Sequence, residues 1–336
     1  VAPAAGEDVK PIRALLVLGG CCHDYKEQQK LLTQGISARA NVQWEISYDP
    51  DTGTKHLNPR YEREDWASGF DVVVHDECTS DVKDINAVQR ILKPHRDGLP
   101  AVVLHCGIHS YRTEGYPKNT PWFEFTGLDS TGHGPQAPIE ITFVEDDHPI
   151  TQGLTDWKTA NEELYNNFAG RLHETASPLA RGKQIWKNDD GSSGMAEGVC
   201  VWTNRYQGKT RVFATTLGHN NVTVGDPRYL DLVTRGLLWS VDKLDEAHLK
   251  PASQVLISDA SQEAVPGDAQ AKGKSIRNSV GMTLLRVPAG EFMMGAADSE
   301  KGPTYNEQPQ HRVRITKPFY LGTHEVTQEQ WTAVMG

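Results

Sequence analysis

Residues 12–24, IRALLVLGGCCHD, continue as YKEQQKLLTQGISARA over 25–40. The run IRALLVL is uninterrupted by alternating polar positions and too short for a core helix, so it reads as a strand buried on both faces. It ends in Gly19-Gly20, and the stretch after it carries apolar residues at helical spacing. A strand delivering a glycine turn to a helix is the opening half of a βα unit. Working outward, 42–48 (VQWEISY), 70–75 (FDVVVH) and 100–105 (PAVVLH) supply further strands, with 82–93 as a crossover helix closing before Pro94. Helix and strand alternate as a doubly wound parallel sheet requires.

Downstream, 106–197 reads as loop-rich, with strands at 138–144 and 184–187. Residues 198–206 and 210–217 flank Gln207-Gly208-Lys209 as a hairpin, and 227–242 is a last helix with Pro227 in its first turn. The spacing therefore predicts a first domain over 10–242 after a disordered start at 1–9. Residues 243–275 have a linker composition, and a second unit runs over 276–336 with strands at 283–287 and 312–316 and a helical start in its final residues. About sixty residues form a marginal core, and this unit reads as truncated.

Length and charge narrow the function. The chain has 336 residues, enough for two or three domains at about 100–200 residues each. Acidic residues outnumber basic ones 44 to 34, and no Lys/Arg stripe is present to meet phosphates. Nucleic acid is thereby a poor partner. No apolar run reaches the roughly 18–20 residues of a membrane helix, so membrane insertion is not expected. The opening VAPAAGEDVKP reads either as the start of a mature exported protein, periplasmic or extracellular, or as a piece of a longer chain. Five cysteines without C-x-x-C spacing indicate neither a zinc knuckle nor a disulfide framework.

In an open α/β sheet, ligands bind beyond the carboxyl ends of the strands. Those ends carry Gly19-Gly20-Cys21-Cys22-His23-Asp24, His75-Asp76-Glu77-Cys78, His105-Cys106-Gly107-Ile108-His109 and Gly218-His219-Asn220-Asn221. Four histidine-bearing edges point to one crevice.

The segments GGCCHDY (19–25), LHCGIHSYR (104–112), DHPITQGL (147–154), EELY (162–165) and TLGHNN (216–221) make residues 10–242 resemble the trehalose-utilisation, ThuA-like family. That resemblance implies the flavodoxin-like fold of class I glutamine amidotransferases and a link to sugar metabolism. Residues 276–336 resemble the opening of the formylglycine-generating, sulfatase-modifying family through NSVGMTLLRVPAGEFMMG, HRVRITKPFYLG and HEVTQEQWTAVMG. This implies an incomplete α+β domain of C-type-lectin-like kind. The oxidising cysteines of that family lie later in its fold, so formylglycine generation is not expected here.

The amidotransferase comparison implies a cysteine after a central strand, a histidine after a late strand, and a carboxylate two residues further on. Cys106 and His219 match the first two places, but Asn221 stands at the third and Ile108 replaces the family's glycine. Cys106 is either that nucleophile or a small packed residue beside an active turn. The leading expectation is a carbohydrate-processing enzyme in which His23, Asp24, His105, His109, Glu163 and His219 move protons. Gly19, Gly20, Cys106, Tyr165 and Asn220 would contact the substrate. Structural alternatives stand beside these roles: Asp24 as the cap of the following helix, His105 as a satisfied core histidine, and Glu163 as a solvated loop charge. Neutral imidazoles with carboxylates also suit a divalent metal such as zinc. A non-catalytic sugar- or protein-binding module and a cysteine amidohydrolase are the rival readings, and the sequence is silent on oligomeric state.

Overall fold

The computed structural model describes residues 9–145, 147–165, 171–188 and 190–250, and further on 275–277, 282–287, 290–294, 310–315, 319–322, 326–327 and 330–331. The chain divides into two compact units, Val1–Gln262 and Glu263–Gly336.

The first unit is an α/β domain. Its elements in order are β1 (Ile12–Gly20), α1 (Tyr25–Ser37), β2 (Val42–Asp49), β3 (Val72–Cys78), α2 (Ile85–Arg96), β4 (Ala101–Leu104), α3 (Pro121–Thr126), β5 (Leu128–Asp129), β6 (Ala137–Phe143), β7 (Trp157–Glu162), β8 (Arg171–Leu172), β9 (Ala176–Lys187), β10 (Ser193–Tyr206), β11 (Thr210–Thr215), α4 (Asn221–Val224) and α5 (Pro227–Ser240). One nine-stranded sheet has the order β2-β1-β3-β4-β11-β10-β9-β6-β7. Its first five strands pair in parallel, and β10, β9, β6 and β7 extend it antiparallel. The strand order reverses at β1, which lies between β2 and β3, and places a crevice at their carboxyl ends.

The uninterrupted apolar run of β1 follows from burial on both faces. Ala14, Leu16 and Leu18 enter one core with Leu32 and Ile36 of α1 and Leu232 and Val233 of α5, whereas Leu15 and Val17 enter another with Val88 and Ile91 of α2 and Trp122 and Phe123 of α3. Asp24 caps α1 by accepting from Glu27 N at 3.2 Å, and Asp84 caps α2 in the same way from Asn86 N.

Three expectations need correction. The crossover helix continues through Pro94 to Arg96. Proline removes the N–H that would satisfy the Arg90 carbonyl, and Trp66 Nε1 donates to that oxygen instead at 3.3 Å. The region 106–197 holds β6, β7, β9 and the opening of β10 rather than mainly loops. These strands expose alternate residues, as in the buried-and-exposed pattern of β6, and their polar faces dilute the apolar signal. Residues 243–250, read as the first part of a linker, pack on the first unit: Leu249 is 3% exposed and bridges Ala40. Residues 251–274, and 1–8 at the start, lie outside the described residues.

In the second unit, β12 (Ser275–Arg277), β13 (Thr283–Val287) and β16 (Phe319–Gly322) form one antiparallel sheet, and β14 (Gly290–Met294) pairs with β15 (His311–Ile315). The helical start expected near its end falls almost wholly outside the described residues.

Candidate functional site

Three of the four histidine-bearing strand ends converge. After β1 the chain turns through Gly19, Gly20 and Cys22, all at positive φ, and brings His23 back over the sheet. After β4, His105 adopts φ 38°, a left-handed conformation unusual for a non-glycine residue and of the kind that clusters at functional turns. After β11, His219 arrives on a loop whose backbone N–H groups are gathered by one carboxylate. Glu162, fully buried at the end of β7, accepts from Gly218 N and His219 N through Oε2, at 3.2 and 2.9 Å, and from Asn220 N through Oε1 at 3.1 Å. The rings of His23 and His105, and of His23 and His219, lie 4.7 Å apart edge to face.

The fourth histidine goes elsewhere. Side chains of β3 alternate, and His75 enters the opposite core against Trp122 and Phe125. There His75 Nδ1 lies 3.0 Å from Glu77 Oε1, which also accepts from the hydroxyls of Tyr61 and Tyr111, and His75 Nε2 meets His95 Nε2 at 3.1 Å. The single crevice with four histidine edges is thus corrected to three.

The crevice is a cavity of about 520 Å³ lined by His23, His109, Glu163, Tyr165 and His219 together with the four cysteines of the strand ends, Arg112 and His133. Glu163 is 8% exposed, not a solvated loop charge. Its Oε2 lies 3.3 Å from His219 Nδ1, 3.6 Å from His133 Nε2 and 3.7 Å from His105 Nε2. Burial opposes the charge on both partners of the His219–Glu163 pair. Their attraction across this ion-pair contact outweighs it, holding His219 above the ordinary imidazole value and Glu163 below the ordinary carboxylate value. The Gln136 side-chain amide sits 2.7 Å from His219 Nε2.

The rings of His23, His105 and His109 are held neutral by burial. Burial, reinforced by His219, lowers His23 to about 4, and burial with the nearby Arg112 charge lowers His109 to about 3. His105 lies well below the usual value, again chiefly through burial. Its Nδ1 donates to the Thr216 carbonyl at 2.6 Å, which leaves Nε2 to accept from the Tyr165 hydroxyl at 3.2 Å. Both nitrogens of His105 are therefore engaged, while His23 Nε2 and His109 Nδ1 are buried without a hydrogen-bond partner among the described residues. Tyr165 stacks on His109 with centroids 4.4 Å apart. One nitrogen each of His23, His105 and His219 lie within 4.8 Å of one another, so among the described residues these three rings form one group that could hold a divalent ion.

Of the remaining residues singled out in the sequence, Cys106 lines the cavity beside His109, and the others stand apart from this cluster. Asp24 caps α1 and accepts from Asn221 Nδ2 at 3.0 Å. Asn221 therefore braces a helix cap instead of standing behind His219, whose carboxylate partner is Glu163 from the far side of β7. Asn220 donates through Nδ2 to the Asn161 carbonyl. Gly19 and Gly20 lie against neighbouring strands: a Cβ at Gly19 would collide with the Asp49 carbonyl and one at Gly20 with the Cys78 carbonyl. Cys106 is disulfide-bonded to Cys78, and Cys21 to Cys22, so the absence of a disulfide framework is also corrected. The Cys78–Cys106 pair, 28 residues apart, carried no pairing signal because strand order, with β3 beside β4, brings its sulfurs together. His133 and Gln136 lacked a sequence signal for the same reason, and Glu162 and Arg112, though inside EELY and LHCGIHSYR, were not singled out.

Comparison with known proteins agrees with this architecture. Residues 13–240 match the family model described as trehalose utilisation, ThuA, and residues 270–336 match part of the sulfatase-modifying factor enzyme 1-like domain. A ThuA-like protein from Parabacteroides merdae ATCC 43184 is 20% identical over 69% of this chain and 90% of its own, with a TM-score of 0.53. A second, from Bacteroides uniformis ATCC 8492, is 14% identical over 73% of this chain and 98% of its own, with a TM-score of 0.51. At these identities the likeness concerns the fold. No curated protein matches the chain. With a family model spanning most of its length and a sheet of the matching architecture, the chain belongs to the ThuA, trehalose-utilisation, family.

Proposed function

We propose that the crevice processes a sugar or keto-sugar by histidine–carboxylate acid–base chemistry, with His219 and Glu163 as the proton-carrying pair. The observation that carries this reading is the His219–Glu163 contact at 3.3 Å inside a cavity that also holds two neutral imidazoles. A protonated His219 donates as general acid from Nε2 to a substrate oxygen that takes the place of the Gln136 amide, and Glu163, facing Nδ1, stabilises the imidazolium and fixes the ring. Once deprotonated, His219 serves as the base for the return step. His23 and His109 line the cavity and, as neutral rings, accept from substrate hydroxyls or donate to them, according to tautomer. His105 and Tyr165, bonded to each other, hold the wall of the cavity. A cavity of this volume falls in the usual range for small-molecule sites, about 300–1,000 Å³.

The rival amidohydrolase reading loses its nucleophile in this form of the protein, because the Cys106 sulfur is bonded to Cys78. The test is turnover by the full chain of a panel of disaccharides and keto-sugars, followed by chromatography and carbon NMR. Stereospecific conversion that disappears in His219→Ala supports the proposal. Saturable binding of a sugar with no conversion would replace it with the binding-module reading.

A further inference from the structure

Four cysteines from three strand ends meet at the mouth and wall of the crevice, and the acid–base reading uses none of them. They form two disulfides that differ in access. In the Cys21–Cys22 pair, Cys22 is exposed and Cys21 half-buried; in the Cys78–Cys106 pair both residues are only 4% exposed. The two pairs touch: Cys21 Sγ lies 3.4 Å from Cys78 Sγ. Cys106 Sγ in turn lies 3.7 Å from His109 Nε2, and a nitrogen of His23 is within 4.8 Å of the sulfurs of Cys78 and Cys106.

The geometry points to a thiol–disulfide exchange relay, in which the exposed Cys21–Cys22 disulfide takes two electrons from an external protein dithiol and passes them to the buried Cys78–Cys106 pair. Exchange proceeds by attack of a thiolate on a disulfide sulfur, so each step needs one sulfur in contact with the next. A thiolate of the external dithiol attacks Cys22 Sγ and breaks the Cys21–Cys22 bond, and Cys21 leaves as thiolate. The second thiolate of the dithiol then attacks its own mixed-disulfide sulfur, releases Cys22 as thiolate and departs as a disulfide. Cys21 next attacks Cys78 Sγ, forming Cys21–Cys78 and expelling Cys106 as a thiolate, which takes up a proton beside His109. Cys22 finally attacks Cys21 Sγ, re-forms Cys21–Cys22 and releases Cys78, which takes up the second proton. The external dithiol has become a disulfide, the outer pair is unchanged, and the inner pair has gained two electrons and two protons.

Access makes the outer pair necessary. A protein reductant cannot bring its own sulfur onto residues that are 4% exposed on the cavity wall, but it can meet Cys22.

The test uses the full oxidised chain with thioredoxin as the protein dithiol, quenching with N-ethylmaleimide and mapping labelled cysteines by peptide mass spectrometry. In the wild type, Cys78 and Cys106 become labelled, and acid-quenched samples taken early contain a Cys21–Cys78 bond. In Cys22→Ser the inner pair is reduced at least about tenfold more slowly by thioredoxin, although dithiothreitol in denaturant reduces it fully. In the double variant Cys22→Ser with Cys106→Ser, the two remaining partners form a Cys21–Cys78 disulfide. The early wild-type intermediate does not depend on any variant folding. Equal rates in wild type and Cys22→Ser, absence of a Cys21–Cys78 bond at every time, or labelling of all four cysteines before reduction would each overturn the relay.

Discussion

Glu163→Gln keeps the size and hydrogen-bonding reach of the side chain and removes only its charge, so it isolates what the carboxylate does for His219. At 3.3 Å, two unit charges in surroundings of effective dielectric about 20 attract by about 5 kcal/mol before the cost of burying them. That cost is real here, since the two side chains are 12% and 10% exposed and burial opposes ionisation of each. An opposite charge in such contact typically moves a pKa by about 1–3 units. In Glu163→Gln, His219 should therefore fall, because burial is then opposed only by the more distant Glu162 charge. The assay is a pH titration of the His219 ring resonances by proton–carbon NMR in wild type and variant, with kcat/KM measured on the same samples. Catalysis should drop by about 10²–10⁴-fold, the range for a positioned acid–base group. The pair also makes stability depend on pH. Because His219 is raised in the folded state, its contribution is complete below its unfolded pKa and is lost as pH rises through the folded pKa. Because Glu163 is lowered, its contribution is complete above its unfolded pKa and is lost as pH falls through the folded one. The stability difference between wild type and variant should thus be greatest at about pH 5–6, between the two unfolded pKa values. An unchanged His219 titration in Glu163→Gln would refute the pairing and, with it, the assigned proton carrier.

Three further outcomes test other parts of the structure. Gly20→Ala, which places a Cβ against the Cys78 carbonyl at φ 95°, should destabilise the domain by about 1–3 kcal/mol or more in urea unfolding; a neutral effect would show that the β1 turn is looser than described. Trp66→Phe removes the donor that satisfies the Arg90 carbonyl above Pro94 and should cost about 1–3 kcal/mol by the same measurement, whereas Trp66→Phe as stable as wild type would mean that water serves that oxygen equally well. Glu162→Ala strips the acceptor shared by the N–H groups of residues 218–220, so amide hydrogen exchange there should accelerate and kcat/KM should fall while the α1 and α2 amides stay protected. Unchanged exchange at 218–220 would show that the loop holds its shape without the carboxylate.

The parallel half of the sheet was legible because its cause is local. A strand buried on both faces must be apolar at every buried position, and a helix after it must repeat at 3.6 residues; ALLVL at 14–18 and the stretch after Tyr25 show both signatures in the residues themselves. The antiparallel wing was legible only in part: the strands expected at 138–144 and 184–187 match β6 and the end of β9, whereas β7 and the rest of β9 alternate buried and outward polar residues and read as loop. Within the crevice, the histidines at the ends of β1, β4 and β11 could be named from sequence, since a strand end is a local feature. That His75 faces away could not, because a shift of one position along a strand reverses the face on which a side chain stands.

Residue types and strand ends were thus determined by the sequence alone: a doubly wound α/β start, a glycine turn, histidines and cysteines at carboxyl ends. Convergence was decided by the tertiary structure. Strand order 2-1-3-4 sets the ends of β1, β3 and β4 side by side, which is why Cys21 meets Cys78 and Cys78 meets Cys106. The antiparallel return through β6 and β7 carries Glu163 back to His219, a partner that no window around residue 219 contains. Periodicity acts over a few residues through backbone geometry and burial, whereas a site is assembled by distances across strands whose neighbours in space are remote in the chain.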